Sequence, residues 1–115
     1  MKRDYTLYIK DMLECIEKIE EFVGNMSYEE FVEDDKTSSA AVRKLEIMGE
    51  ASKNIPRDIR REYKEIPWSD VAKMRDKIIH FYFGVDYEIV WKVIKERLPV
   101  LKQQIENLIK EVGEE

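Results

Sequence analysis

Along almost its whole length this chain places apolar side chains at helical spacing, and no segment alternates with the two-residue period of a half-buried strand. That restricts the fold to helices packed on helices. The clearest case is residues 4–23, where Leu7, Tyr8, Met12, Cys15, Ile16, Ile19, Phe22 and Val23 recur at helical intervals. Gly24-Asn25 stops that helix. Ser27-Tyr28-Glu29-Glu30 has the form of a capping box and opens a short helix through Phe31 and Val32. Asp34-Asp35-Lys36-Thr37 reads as a turn, with Thr37 or Ser38 capping the next helix. That helix runs to about Asn54 and turns Ala41, Val42, Leu45, Met48 and Ala51 or Ser52 to one face. Pro56 suits a first helical turn, so a short basic helix is expected over residues 56–64. After Pro67-Trp68, Ser69 is the expected N-cap of a helix over residues 70–83, which Gly84 ends. Asp86 caps a last long helix to about Val112, which Pro99 should bend or split. The expectation is one all-α domain over residues 1–115, an up-and-down bundle of four or five helices.

Composition removes several function classes. Apolar residues make up 43% of the chain, enough for a core. No apolar run approaches the roughly 18 residues of a membrane span. Met1-Lys2-Arg3-Asp4-Tyr5 lacks the apolar stretch of a signal peptide, so a cytoplasmic protein with no membrane partner is expected. Cys15 and His80 are each the sole residue of their kind, which leaves no metal-ligand set and implies no cofactor. The net charge of −5 argues against broad, non-specific nucleic-acid binding. The charge is uneven, however. Residues 1–35 carry four basic and eleven acidic side chains, whereas residues 53–80 carry eight basic and five acidic.

The basic segment runs into Arg75-Asp76-Lys77-Ile78-Ile79-His80-Phe81-Tyr82, an R-x-x-x-x-H-x-Y pattern around the lone histidine. Histidine is the side chain suited to exchange protons near neutral pH, so His80 is the first candidate for acid–base work. On a helix of 100° per residue, Val71, Ala72, Ile78, Ile79 and Tyr82 fall within about 60° of Arg75. Arg75 would then point inward or toward a partner, and His80, at about 140°, would lie on a polar edge beside Asp76 and Lys73. Two readings of Arg75 stand. One is a buried ion pair with Glu46 or Glu50; the other is a guanidinium held to meet a phosphate. Asp76, one turn before His80, either orients the ring or makes a plain surface pair with it. Tyr82 reads, from the residues alone, as a core aromatic. Trp68, Trp91, Phe81, Phe83 and Tyr87 read as core or interface anchors before they read as base-stacking platforms. Met12, Met26, Met48 and Met74 read as packing.

The run R-D-K-I-I-H-F-Y is similar to the R-x-x-x-x-H-x-Y motif of HEPN-domain ribonucleases. More narrowly, the chain resembles the HepT-like toxins of prokaryotic HEPN/MNT toxin–antitoxin pairs. The resemblance covers nearly the whole chain: R-D-Y-T-L-Y-I-K-D-M-L-E, Y-E-E-F, A-V-R-K-L-E-I-M-G-E-A, I-P-W, M-R-D-K-I-I-H-F-Y-F-G-V-D, V-W and L-P-V-L-K. Many members have Asn after the motif Arg, where this chain has Asp76; the wider HEPN pattern admits Asp there.

The resemblance implies a metal-independent endoribonuclease acting on RNA as a homodimer, its two motif helices meeting across a cleft. His80 would activate the ribose 2′-hydroxyl or protonate the leaving oxygen, with Asp76 in support, and Arg75 would stabilise the charge built up at phosphorus. A 2′,3′-cyclic phosphate would result. It further implies an MNT-type nucleotidyltransferase antitoxin that silences the toxin by adding AMP to Tyr82. The alternative is a non-catalytic HEPN dimer that binds such a nucleotidyltransferase, and a third reading is a nucleotide-binding helper without cleavage.

Overall fold

In the computed structural model, residues 2–80, 82 and 84–113 are described, side chains 2–4 and 113 excepted. Three long helical bodies form the frame: α1 (Lys2–Val23), α3 (Asp35–Ser52) and α8 (Leu98–Gly113). α1 lies at the centre, packed on α3 and on α8. Its fully buried Ile9, Met12, Ile16 and Ile19 meet Leu45 and Met48 of α3 and Ile105 and Leu108 of α8 in one core. Gly24 takes φ +51°, the left-handed conformation that ends a helix at least cost for glycine. The all-α architecture read from the sequence holds.

The capping box forms as spaced. The Ser27 N–H donates to Glu30 Oε1 (2.8 Å) and the Glu30 N–H donates to Ser27 Oγ (3.1 Å), opening α2 (Tyr28–Glu33). The next cap differs from expectation. Asp34 ends α2 and also caps α3, its Oδ1 accepting from the Thr37 N–H at 3.0 Å. Asp35-Lys36-Thr37 is therefore the first turn of α3 and not a loop, and Ser38 is buried inside the helix. The carboxylate at Asp34 reaches the exposed amides first, leaving Thr37 and Ser38 no capping role. α4 (Arg57–Glu62) follows Pro56, within the short basic helix expected there.

The main departure lies in the segment expected to be one helix over residues 70–83. It is three pieces: α5 (Trp68–Ala72), α6 (Met74–Ile78) and a two-residue strand, β1 (Ile79–His80). Lys73, at φ −96° and ψ 17°, breaks α5 from α6, and Ser69 lies inside α5 with Pro67 at its cap position. β1 pairs antiparallel with β2 (Gly84–Val85), Ile79 opposite Val85 and His80 opposite Gly84. Residues 78–85 are Ile, Ile, His, Phe, Tyr, Phe, Gly and Val. That run is β-branched and aromatic and lacks the strong helix formers, which favours a pleated turnback over another helical turn. Gly84, at φ +75°, supplies the left-handed residue.

Asp86 then opens α7 (Tyr87–Lys92), as expected from its position. α7 passes through a π-helical turn over residues 93–97 into α8. Pro99 cannot donate to the residue four before it and crowds that carbonyl. The widened turn accommodates both effects, so the helix is distorted without being split.

Candidate active site

Arg75 stands on α6 and points outward. Its side chain is 71% exposed, against the buried position that a continuous helix would give it. The reason is the break after Ile78. Ile78 is fully buried, whereas Tyr82, which would share its apolar arc on a continuous helix, is 88% exposed. The core-aromatic reading of Tyr82 is thereby overturned. Glu46 is the partner of Arg75, as the sequence suggested, with Nε to Oε2 at 3.5 Å. The same carboxylate lies 3.9 Å from Arg43 on its own helix. Such partly solvated pairs hold geometry more than they add stability, at about 0–1 kcal/mol each. Lys77 pairs with Asp70 at 3.4 Å. Lys73 is exposed between them, so α5 and α6 carry Lys73, Arg75 and Lys77 interleaved with Asp70 and Asp76 beside α3.

His80 lies on β1, about half exposed. Because the helix ends at Ile78, Asp76 is not one helical turn before it, and the i, i+4 relation expected of that pair is lost. The carboxylate that meets the ring is Asp86, with Oδ2 3.5 Å from His80 Nε2. Asp86 is held on both sides. Its N–H donates to the Ile78 carbonyl at 2.7 Å, and its Oδ1 accepts from the Ile89 N–H at 3.2 Å. His80 and Asp86 line an open cleft of about 350 Å³ with Tyr28, Val85, Tyr87 and Glu88. Partial burial, and then the charges of Glu88, Asp86 and Glu29, push the Tyr28 phenol above its ordinary range.

The structure thus places Arg75 and His80 on adjoining pieces of chain, each held by its own carboxylate. Tyr82 lies in the turn between β1 and β2. Phe81 and Phe83 lie outside the described residues. Trp68 is buried, its indole N–H donating to the Tyr63 carbonyl at 3.0 Å, and Trp91 packs on Phe31 and Tyr28 with Lys95 over its ring. The sequence reading missed Asp86 as a neighbour of His80. The signal was a cap residue six positions after the histidine, across a glycine-containing turn. Among the described residues no three His, Cys, Asp or Glu side chains are grouped to hold a metal ion. None of the described helices is long and apolar enough to cross a membrane.

Comparison with known families decides the lineage. Residues 12–108 match the family described as "Ribonuclease HepT-like". The chain belongs to the HepT-like ribonuclease family. One relative, named "Probable ribonuclease HepT", from Thermococcus cleftensis, is 53% identical over 110 residues, covering 96% of this chain and 100% of the relative. A Methanocaldococcus jannaschii protein named "Putative RNase MJ1216" is 47% identical over 111 residues, covering 96% and 92%. A further relative, from Caldanaerobacter subterraneus and named "Putative RNase TTE0752", is 42% identical over 102 residues, covering 89% and 91%. No solved structure matches the chain. The HepT-like membership expected from the ordered motifs stands, with the motif Arg75, His80 and Tyr82 inside the matched span.

Proposed function

We propose that this HepT-like protein is a metal-independent endoribonuclease toxin that works as a homodimer. The observation that carries the reading is that a family-matched chain presents both Arg75 and His80 to solvent, on adjoining segments. His80 takes the proton of a ribose 2′-hydroxyl. The 2′-oxygen then bonds to phosphorus while the bond from phosphorus to the 5′-oxygen breaks. The departing oxygen takes a proton from His80 of the second copy, leaving a 2′,3′-cyclic phosphate and a 5′-hydroxyl. Arg75 offsets the extra negative charge on the phosphoryl oxygens.

In the same proposal an MNT-type nucleotidyltransferase antitoxin adds AMP to Tyr82. The exposure of Tyr82 supports this, since its side chain stands open to a second protein. A phosphate attached there would compete with RNA for the nearby cations. Asp76, exposed next to Arg75, keeps only a supporting place through its charge. The acids Asp86 and Glu88 around His80 favour one alternative, a non-catalytic dimer that binds the nucleotidyltransferase, because they repel RNA.

The deciding experiment is cleavage of end-labelled RNA by protein made without any nucleotidyltransferase, beside His80→Ala and Arg75→Ala. Each variant is expected to lose at least about 10²-fold in rate with helicity unchanged, and EDTA to have no effect. Cleavage by His80→Ala at the parental rate rules the mechanism out. An inactive parent that still binds the nucleotidyltransferase favours the alternative.

A further inference from the structure

We propose that Asp86 is a positioning residue for His80, selecting which ring nitrogen carries the proton and so which one acts as base. This rests on the reading of His80 as the acid–base residue, but its central claim concerns the ring itself. The two oxygens of Asp86 have separate tasks. Oδ1 is committed to the Ile89 N–H at the start of α7, and the backbone N–H is committed to Ile78 at the end of α6. With both ends fixed, Oδ2 faces His80 Nε2 at 3.5 Å, long for a hydrogen bond and within ion-pair reach. A carboxylate accepts and does not donate, so a neutral ring beside it keeps its proton on Nε2. The lone pair is then on Nδ1, which becomes the atom that takes the 2′-hydroxyl proton. When the ring has taken that proton, the same carboxylate offsets the imidazolium charge.

The other ionisable groups around this cleft are Glu88 and Tyr87 of α7 and Tyr28 of α2. None of them is paired with the ring at ion-pair distance as Asp86 is. Capping alone does not account for the arrangement. Asn and Ser cap as well as Asp does, but neither can hold a negative oxygen against Nε2.

That difference supplies the test. In Asp86→Asn the amide oxygen retains the Ile89 N–H, so the amide NH₂ is turned toward His80. A donor there favours the opposite tautomer, with the proton on Nδ1. His80 is the only histidine, so long-range ¹H–¹⁵N spectra of labelled protein report one ring without assignment. At a pH where the ring is neutral, the parent is expected in the Nε2–H form and Asp86→Asn in the Nδ1–H form. Asp86→Ser, which caps but does not reach the ring, is expected to give a mixture. RNA cleavage by Asp86→Asn should fall in kcat, by up to about 10⁴-fold as where a catalytic histidine is left in the wrong tautomer, with KM little changed. A parent ring in the Nδ1–H form, or the same tautomer in all three proteins, overturns the proposal; because the parent alone can refute it, a poorly folding variant does not shelter it. Parental cleavage by His80→Ala would instead overturn the ribonuclease mechanism while leaving the tautomer result to judge Asp86.

Discussion

Gly49→Ala sets two known effects against each other at the joint that carries the site. Gly49 lies within α3, where alanine would ordinarily stabilise the helix by about 1 kcal/mol. Here a Cβ would lie 2.9 Å from the Val71 carbonyl oxygen and 3.5 Å from the Met74 Cβ. The first of these is backbone, so it cannot swing aside as a side-chain tip would. α5 must move as a unit, and overpacking of this kind costs about 1–3 kcal/mol. The net expectation is a loss of roughly 0–2 kcal/mol. Val71 stands just before the turn at Lys73, whose N–H donates to the Ser69 carbonyl at 3.1 Å. Displacing Val71 disturbs the start of α6 and therefore the placement of Arg75. Urea unfolding at unchanged slope reads the first effect, and RNA cleavage reads the second. A lower midpoint with reduced cleavage is expected. A midpoint raised by the full helix-propensity gain would mean that α5 does not approach α3 this closely, and the account of how Arg75 is placed would fail with it.

Three further outcomes can be checked. Burial and the hydrogen bond to Glu111 push Tyr63 up to about 12 from 10.0. Its raised value in the folded chain means that its contribution is fully present below pH 10 and is lost as pH rises from there toward 12; the difference in urea midpoint between parent and Tyr63→Phe should stay flat below pH 10 and shrink above it, and a difference that grows there would contradict the sign. Ile78→Ala should cost about 2–5 kcal/mol and Ile78→Val about 0.5–1.5, because Ile78 is fully buried where α6 meets β1; equal, small losses in thermal unfolding would refute that anchoring. Tyr82→Phe should fold, keep much of its cleavage and escape silencing by a partner nucleotidyltransferase with ATP and Mg²⁺, and intact mass after co-expression should show AMP on the parent alone; AMP mapped to Tyr87 or Tyr63 would sink the assignment.

Most helices were legible because their signals are local. Ser27 and Glu30 stand three apart, Asp86 precedes an apolar repeat, and the core face of α3 follows one period. The break at Ile78 was not, because the 100° wheel presupposes the helix it is used to test. Ile78, Ile79 and Tyr82 fall on one arc of that wheel, which made Arg75 look internal. The competing signal was compositional: eight residues from 78 to 85 rich in β-branched and aromatic side chains and ending in Gly-Val. Weighing that run against helical period would have placed His80 on a strand and Tyr82 in a turn. The partner of Arg75 was legible only as Glu46 or Glu50 of α3; the choice of Glu46 and the exposure of Arg75 were not. The contact between His80 and Asp86 was invisible for a related reason. A six-residue separation brings two side chains together only if the chain reverses between them.

The break also decides where the molecule keeps its stability and where it keeps its chemistry. Ile78, Val71 and Met74 are buried and tie α5 and α6 to the core, and full burial of such side chains is worth about 1.5–3 kcal/mol each. Arg75, His80, Asp86 and Tyr82 lie on the solvent side of that anchor, and a partly solvated pair such as Arg75–Glu46 contributes about 0–1 kcal/mol. The two sets are interleaved in sequence and separated in space. Ile78 is the hinge between them: its side chain fills the core while its carbonyl accepts from Asp86, the residue that faces His80. A substitution at Arg75 or His80 should therefore leave unfolding nearly unchanged, so any loss of activity there reports on chemistry; at Asp86 the same holds for Asn or Ser, which keep the cap on α7. A substitution at Ile78 should lower stability and displace His80 and Asp86 together. That pattern follows from exposed side chains standing on a packed floor. A continuous helix with Arg75 buried would give the opposite result at that residue, making Arg75→Ala a costly change.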